Sequence, residues 1–200
     1  MSSANLMRGS ALACMLSGVL IFMFFLVNPA RNPAGFTSSP YVAVHLLGFA
    51  AAVLGQFGLV GLYLRQRKQA GILGAIGFVV SFIGLALVAG EVFFDTYIFP
   101  ILMAEVPDLL TGPLGVGPVT LIFQLTSAFF VLGFILFGIA TLRAGILPRW
   151  GALLVTVGSL YGVGRLPIPD LVRTLGAAAF GLGLAWLGYA LWSGAREMVD

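Results

Sequence analysis

Residues able to do chemistry are scarce in this chain, so their positions carry weight. His45 is its sole histidine, and Glu91 and Asp95 are two of only seven acids among 200 residues. Glu-x-x-x-Asp on a helix sets two carboxylates one turn apart on a single face. A histidine beside carboxylates can pass protons, because its ordinary pKa of about 6.5 lies near neutrality. Two oxygens and an imidazole nitrogen could also help ligate a divalent metal. One histidine and two acids match no established metal motif, however, and no metal site is expected.

The elements that must position these groups are helices in a bilayer. Hydrophobic residues make up 60% of the chain and charged ones 8%, against roughly 25% charged in an ordinary soluble domain. With a mean hydropathy of +1.08, apolar side chains must face lipid as well as one another. A crossing helix needs roughly 20 apolar residues. Segments 9–27, 41–64, 70–94, 119–142, 150–163 and 171–192 meet or approach that length, the fifth being the weakest. The expected fold is all-α: a single polytopic transmembrane bundle of about six spans covering residues 1–200. No other stretch is long enough to be a separate domain.

Charge placement reads out orientation. With the N-terminus inside, Arg8, Arg65, Arg67, Lys68, Arg143, Arg149 and Arg196 lie on the cytoplasmic side, and Arg31, Arg165 and Arg173 outside. That bias obeys the positive-inside rule and predicts both termini in the cytoplasm. Glu91, Asp95, Glu105, Asp108 and Asp170 then make the external face acidic. The basic residues sit at helix ends and form no patch, so nucleic acid is not an expected partner. Cys14, the lone cysteine, falls within the first span and reads as a buried, inert thiol. Met1 to Arg8 with the following apolar run reads as an uncleaved signal anchor.

Two short basic loops, RQRKQ at 65–69 and RAGILPRW at 143–150, are expected to join pairs of spans into hairpins, each entered after a proline, Pro40 or Pro118. The tetrapeptide AGIL follows or lies within both, at 70–73 and 144–147, which leaves open a degenerate parallel repeat. Gly74, Gly77, Ser81 and Gly84 form one small-residue stripe, and Gly48, Ala51, Ala52, Gly55 and Gly58 another. Such stripes let helix backbones approach in lipid, and the second and third spans are expected to pack closely through them.

Folding the first hairpin about residue 67 brings His45 level with about residue 89, within a turn of Glu91. Arg165 reaches the same level from the fifth span, and Gln124 lies slightly deeper on the fourth. Ionisable groups within a span cost roughly 2.5–3.5 kcal/mol at the bilayer centre and less near its surface. Two roles therefore stay open for His45, Glu91, Asp95, Gln124 and Arg165. They form either a site that binds a ligand or relays protons, or an Arg165–Glu91 ion pair that holds helix ends together. Residues 93–117, aromatic and then rich in proline and glycine, read as an interfacial anchor, with a lid over this cluster as the alternative.

The usual enzyme signatures are missing: no His-Glu-x-x-His, no Gly-x-Ser-x-Gly elbow and no phosphate-binding Gly-x-x-x-x-Gly-Lys-Ser/Thr occurs. An enzyme is not expected, and no cofactor is implied. The leading expectation is a non-enzymatic bundle that binds a small ligand or a membrane partner through an outward-facing polar pocket. A proton-coupled small-solute transporter or channel comes next, and an intramembrane enzyme acting on lipid or quinone third.

The stretch FGIATLRAGILPRWGALLVTVG at 137–158 resembles a segment of bacterial multi-pass, six-helix membrane proteins to which no activity is assigned. That resemblance implies a bacterial cytoplasmic membrane and carries over no functional residue.

Overall fold

The computed structural model describes residues 3–28, 35, 38, 40–106, 118–162 and 169–196. Among these the chain is helical, with no strand: α1 is Ser3–Val27, α2 Pro40–Tyr97, α3 Phe99–Glu105, α4 Pro118–Ala144, α5 Arg149–Gly158 and α6 Asp170–Arg196. A 3-10 turn, Ser159–Gly162, extends α5. Four of the helices, α1, α2, α4 and α6, are long and apolar enough to cross a membrane.

The 58-residue α2 is not straight. Gly71 has φ 58° and ψ −152°, a backbone region essentially closed to any residue with a Cβ. There the helix reverses into two antiparallel arms. Tyr63 of the first stacks on Phe78 of the second with ring centroids 4.5 Å apart, and Phe49 meets Phe93 at 6.2 Å. The expected loop at 65–69 is therefore helical, as suits a run of Arg, Gln and Lys, all good helix formers. The reversal sits at Gly71, which sets His45 level with Asp95 and Thr96 instead of with residue 89. The second AGIL behaves alike: α4 stops at Ala144, and Gly145 takes φ 65° while its amide donates to the Thr141 carbonyl at 3.3 Å.

The helices form a closed ring of staves. Going round, α1 packs on the first arm of α2, the second arm on α4, α4 on α5, α5 on α6, and α6 returns to α1. Small residues set each seam. A Cβ on Gly58 would lie 2.7 Å from Cα of Cys14 on α1, and one on Gly84 2.7 Å from Cα of Phe130 on α4. The two small-residue stripes thus serve different neighbours, not each other as expected. The α2 arms meet chiefly through large aromatic groups, so their glycines are available to α1 and α4.

Hydrogen bonds between helices support the seams. Ser17 donates to the Ala51 carbonyl at 2.8 Å, and the buried Cys14 thiol to the Leu184 carbonyl at 3.2 Å. Phe134, Phe137 and Phe180 fill the centre, each at most 1% exposed. Large apolar side chains such as Phe57, Ile72, Leu132 and Leu182 cover the outside, a surface suited to hydrocarbon rather than to water.

The antiparallel layout sorts charge between the two ends. Ser10 lies against Gly61, Ala140 near Gly74, and Gly194 against Arg65. The starts of α1 and α5, the ends of α4 and α6 and the Gly71 reversal therefore share one end, with Arg8, Arg65, Arg67, Lys68, Arg143, Arg149 and Arg196. Glu91, Asp95, Glu105, Asp170 and Arg173 belong to the other.

Candidate functional site

At the acidic end the staves leave a partly open central cavity of about 360 Å³, within the size range of small-ligand pockets. Every stave contributes. His45, Glu91 and Asp95 all line it, so the one-turn spacing that puts the acids on one face turns them toward the same cavity as the imidazole. Each is held from a helical position: His45 on the first α2 arm, the two acids on the second.

His45 is 6% exposed, and its Nδ1 lies 2.9 Å from the Tyr41 carbonyl one turn back. A carbonyl only accepts, so Nδ1 carries a proton; were the ring neutral, Nε2 would be an acceptor. Aromatic neighbours fix the ring plane. Tyr41 lies 3.9 Å away, centroid to centroid, and Phe24 meets it edge-on at 5.4 Å. Packing of this kind holds Nε2 in one direction.

Arg173 joins the same wall from the start of α6. Its Nη1 donates to the Tyr161 carbonyl at 3.3 Å, tying α6 to the last turn of the 3-10 segment. A guanidinium there complements the negative pole of α5 and its extension. Thr126 of α4 also lines the cavity; it is 2% exposed, and its Oγ1 has no hydrogen-bond partner. Hydroxyls on helices commonly bond the carbonyl four residues back, as Thr96 bonds Val92 at 2.6 Å. Thr126 makes no such bond.

The floor is aromatic. Phe130 lines the cavity and packs on Phe134 at 5.0 Å, Phe180 at 5.3 Å and Tyr161 at 5.5 Å. Beneath it Phe134 and Phe180 are fully buried. At the mouth Phe99, the first residue of α3, lines the cavity, while Ile101 is exposed. Residues 107–117 of the segment expected to serve as anchor or lid lie outside the described residues.

No family model, curated protein or solved structure matches the chain. The geometry alone must carry any functional reading.

Of the five residues expected at the site, three converge. Gln124 does not: it is exposed and absent from the cavity wall. Phe123, Thr126, Ser127 and Phe130 carry the inward face of α4, and position 124 falls beside that face, not on it. Arg165 lies outside the described residues. Arg173, Thr126, Tyr41 and Tyr161 were missed. Arg173 had a signal in the sequence, a cation inside an otherwise apolar span at the acidic end. The two tyrosines and the threonine had none, since each also reads as ordinary helix surface. Among the described residues no three His, Cys, Asp or Glu side chains converge as a metal would need.

Proposed function

We propose that the chain is a six-span bacterial inner-membrane protein that binds a small ligand in this cavity, without catalysing a reaction on it. The observation that carries the reading is the convergence of His45, Glu91, Asp95, Arg173 and Thr126 on one aromatic-walled hollow. In a bilayer, polar groups gathered in this way are costly and mark function by default.

Six spans follow from counting each arm of α2 separately and letting α5 with its 3-10 extension cross as a short stave. Ten α and four 3-10 residues rise about 23 Å, short of a ~30 Å hydrocarbon layer. The exposed Trp150 and its neighbours make up the difference at the interface. The positive-inside rule puts the Arg-rich end and both termini in the cytoplasm, so the cavity opens outward.

The test is a filled cavity. Ala52 lines it and is 3% exposed. Native mass spectrometry of protein released from membrane-derived nanodiscs is expected to show a bound small molecule on the wild type. Ala52→Phe should lose it while keeping its melting temperature. The same adduct on both proteins, or on neither, would remove the reading.

A proton-coupled carrier is the second reading. It is favoured by a histidine and two acids sharing a hollow that is shut below by Phe130, Phe134 and Phe180, the form of one access state.

A further inference from the structure

We infer that the cavity selects a small organic cation, an ammonium group carried on an apolar body; this rests on reading the cavity as a ligand site. Three observations lead there. The first is charge. The described wall holds two carboxylates, Glu91 and Asp95, against one guanidinium, Arg173. With His45 neutral the balance is one net negative charge, whatever pairs form within it. Arg173 is moreover drawn to the Tyr161 carbonyl, where it offsets the end of a helix as well as an acid.

The second is the hydrogen-bonding inventory. His45 donates its Nδ1–H to the Tyr41 carbonyl, and in the neutral ring Nε2 is an acceptor. The carboxylates are acceptors, and the buried, unpartnered Thr126 Oγ1 can be one too. Asn28, Ser127 and Arg173 add donors to the wall, so the preference for a donor ligand is carried by the two carboxylates together with Thr126. An ammonium supplies up to three N–H donors and one positive charge.

The third is the lining. Phe24, Tyr41, Phe99, Phe123, Phe130 and Tyr161 present rings to the hollow, and aromatic faces attract cations more than neutral groups of equal size. A hard metal ion would instead need six or more oxygens, and among the described residues no three His, Cys, Asp or Glu side chains are grouped so that they could hold a metal ion. An anion would face two carboxylates. The volume of about 360 Å³ suits a body of one ring and a short chain.

Three isosteric probes separate the outcomes: 2-phenylethylammonium, neutral 2-phenylethanol and phenylacetate. Binding is measured by calorimetry on the full chain in nanodiscs at neutral pH. The ammonium is expected to bind about tenfold more tightly than the alcohol, with no detectable heat from phenylacetate. Glu91→Gln and Asp95→Asn, checked for unchanged melting temperature, should each reduce that preference while leaving the alcohol's affinity alone. Should either variant fail to fold, Thr126→Val supplies the same readout, weakening the ammonium more than its N-trimethylated form. Equal binding of ammonium and alcohol, abolished by Ala52→Phe, would overturn cation selection yet leave the ligand site standing. A preference for phenylacetate would overturn it as well. Silence from all three probes, together with a wild type carrying no adduct, would remove the site itself.

Discussion

Gln66 and Thr141 hydrogen-bond across the bundle, the Gln66 Nε2 donating to the Thr141 Oγ1 at 2.7 Å, with neither residue exposed at all. The threonine hydroxyl in turn donates to the Phe137 carbonyl at 2.8 Å. This links the first arm of α2 to α4, elements that are not neighbours in sequence, near the Arg-rich end. The Gln66 Oε1 has no partner. Thr141→Val would leave the amide with neither end satisfied, and should destabilise the protein by about 1–3 kcal/mol in detergent unfolding. Gln66→Met removes the unpartnered oxygen along with the donor and should cost less. In the double variant the two losses should not add; full additivity would show that the bond contributes nothing.

The two AGIL glycines should respond to substitution in different ways. A Cβ at Gly71 or Gly145 meets no atom within 4 Å, so any penalty is backbone strain and not crowding. Gly145, at φ 65°, tolerates asparagine better than alanine, because asparagine visits the left-handed region most readily. At Gly71 the ψ of −152° lies outside that region, and asparagine should give little relief over alanine. Losses of about 1–3 kcal/mol are expected at position 71 for both. Thermal shifts for the four variants decide it, and an asparagine as mild at 71 as at 145 would contradict the geometry.

Seam glycines and exposed glycines should separate cleanly. Gly84→Leu forces the second arm of α2 away from Phe130 and should cost about 1–3 kcal/mol. Gly90, whose Cβ would meet nothing within 4 Å, should accept alanine with no loss and a gain of up to about 1 kcal/mol in helix stability. Similar melting temperatures for Gly84→Leu and wild type would refute the packing described for that seam.

If the cavity belongs to a carrier, its acids must move protons. Glu91→Gln should then abolish pH-gradient-driven uptake of 2-phenylethylammonium into proteoliposomes, while binding measured at one pH is weakened by about tenfold or less. Uptake that continues to follow the gradient in Glu91→Gln would dispose of the carrier, and wild-type liposomes that bind but never accumulate the amine would favour a binding protein.

Four of the described helices are long and apolar enough to cross a membrane, where six spans were expected. The helical class and the sorting of charge to opposite ends were readable from one sequence. Each depends on local composition: a span must be apolar along its own length, and a cation cannot sit far inside it. The common face of Glu91 and Asp95 was equally legible, since helical periodicity alone sets it. What the sequence could not hold is which stave stands beside which. In hydrocarbon, apolar helices have no hydrophobic preference among neighbours, so the choice rests on shape. Gly58 fits against Cys14 and Gly84 against Phe130, while bulky rings occupy the interface between the α2 arms that seemed the obvious use for small residues. The same tertiary fit rotates Gln124 out of the cavity, brings Arg173 and Thr126 into it, and so decides which of the scarce polar groups share a site.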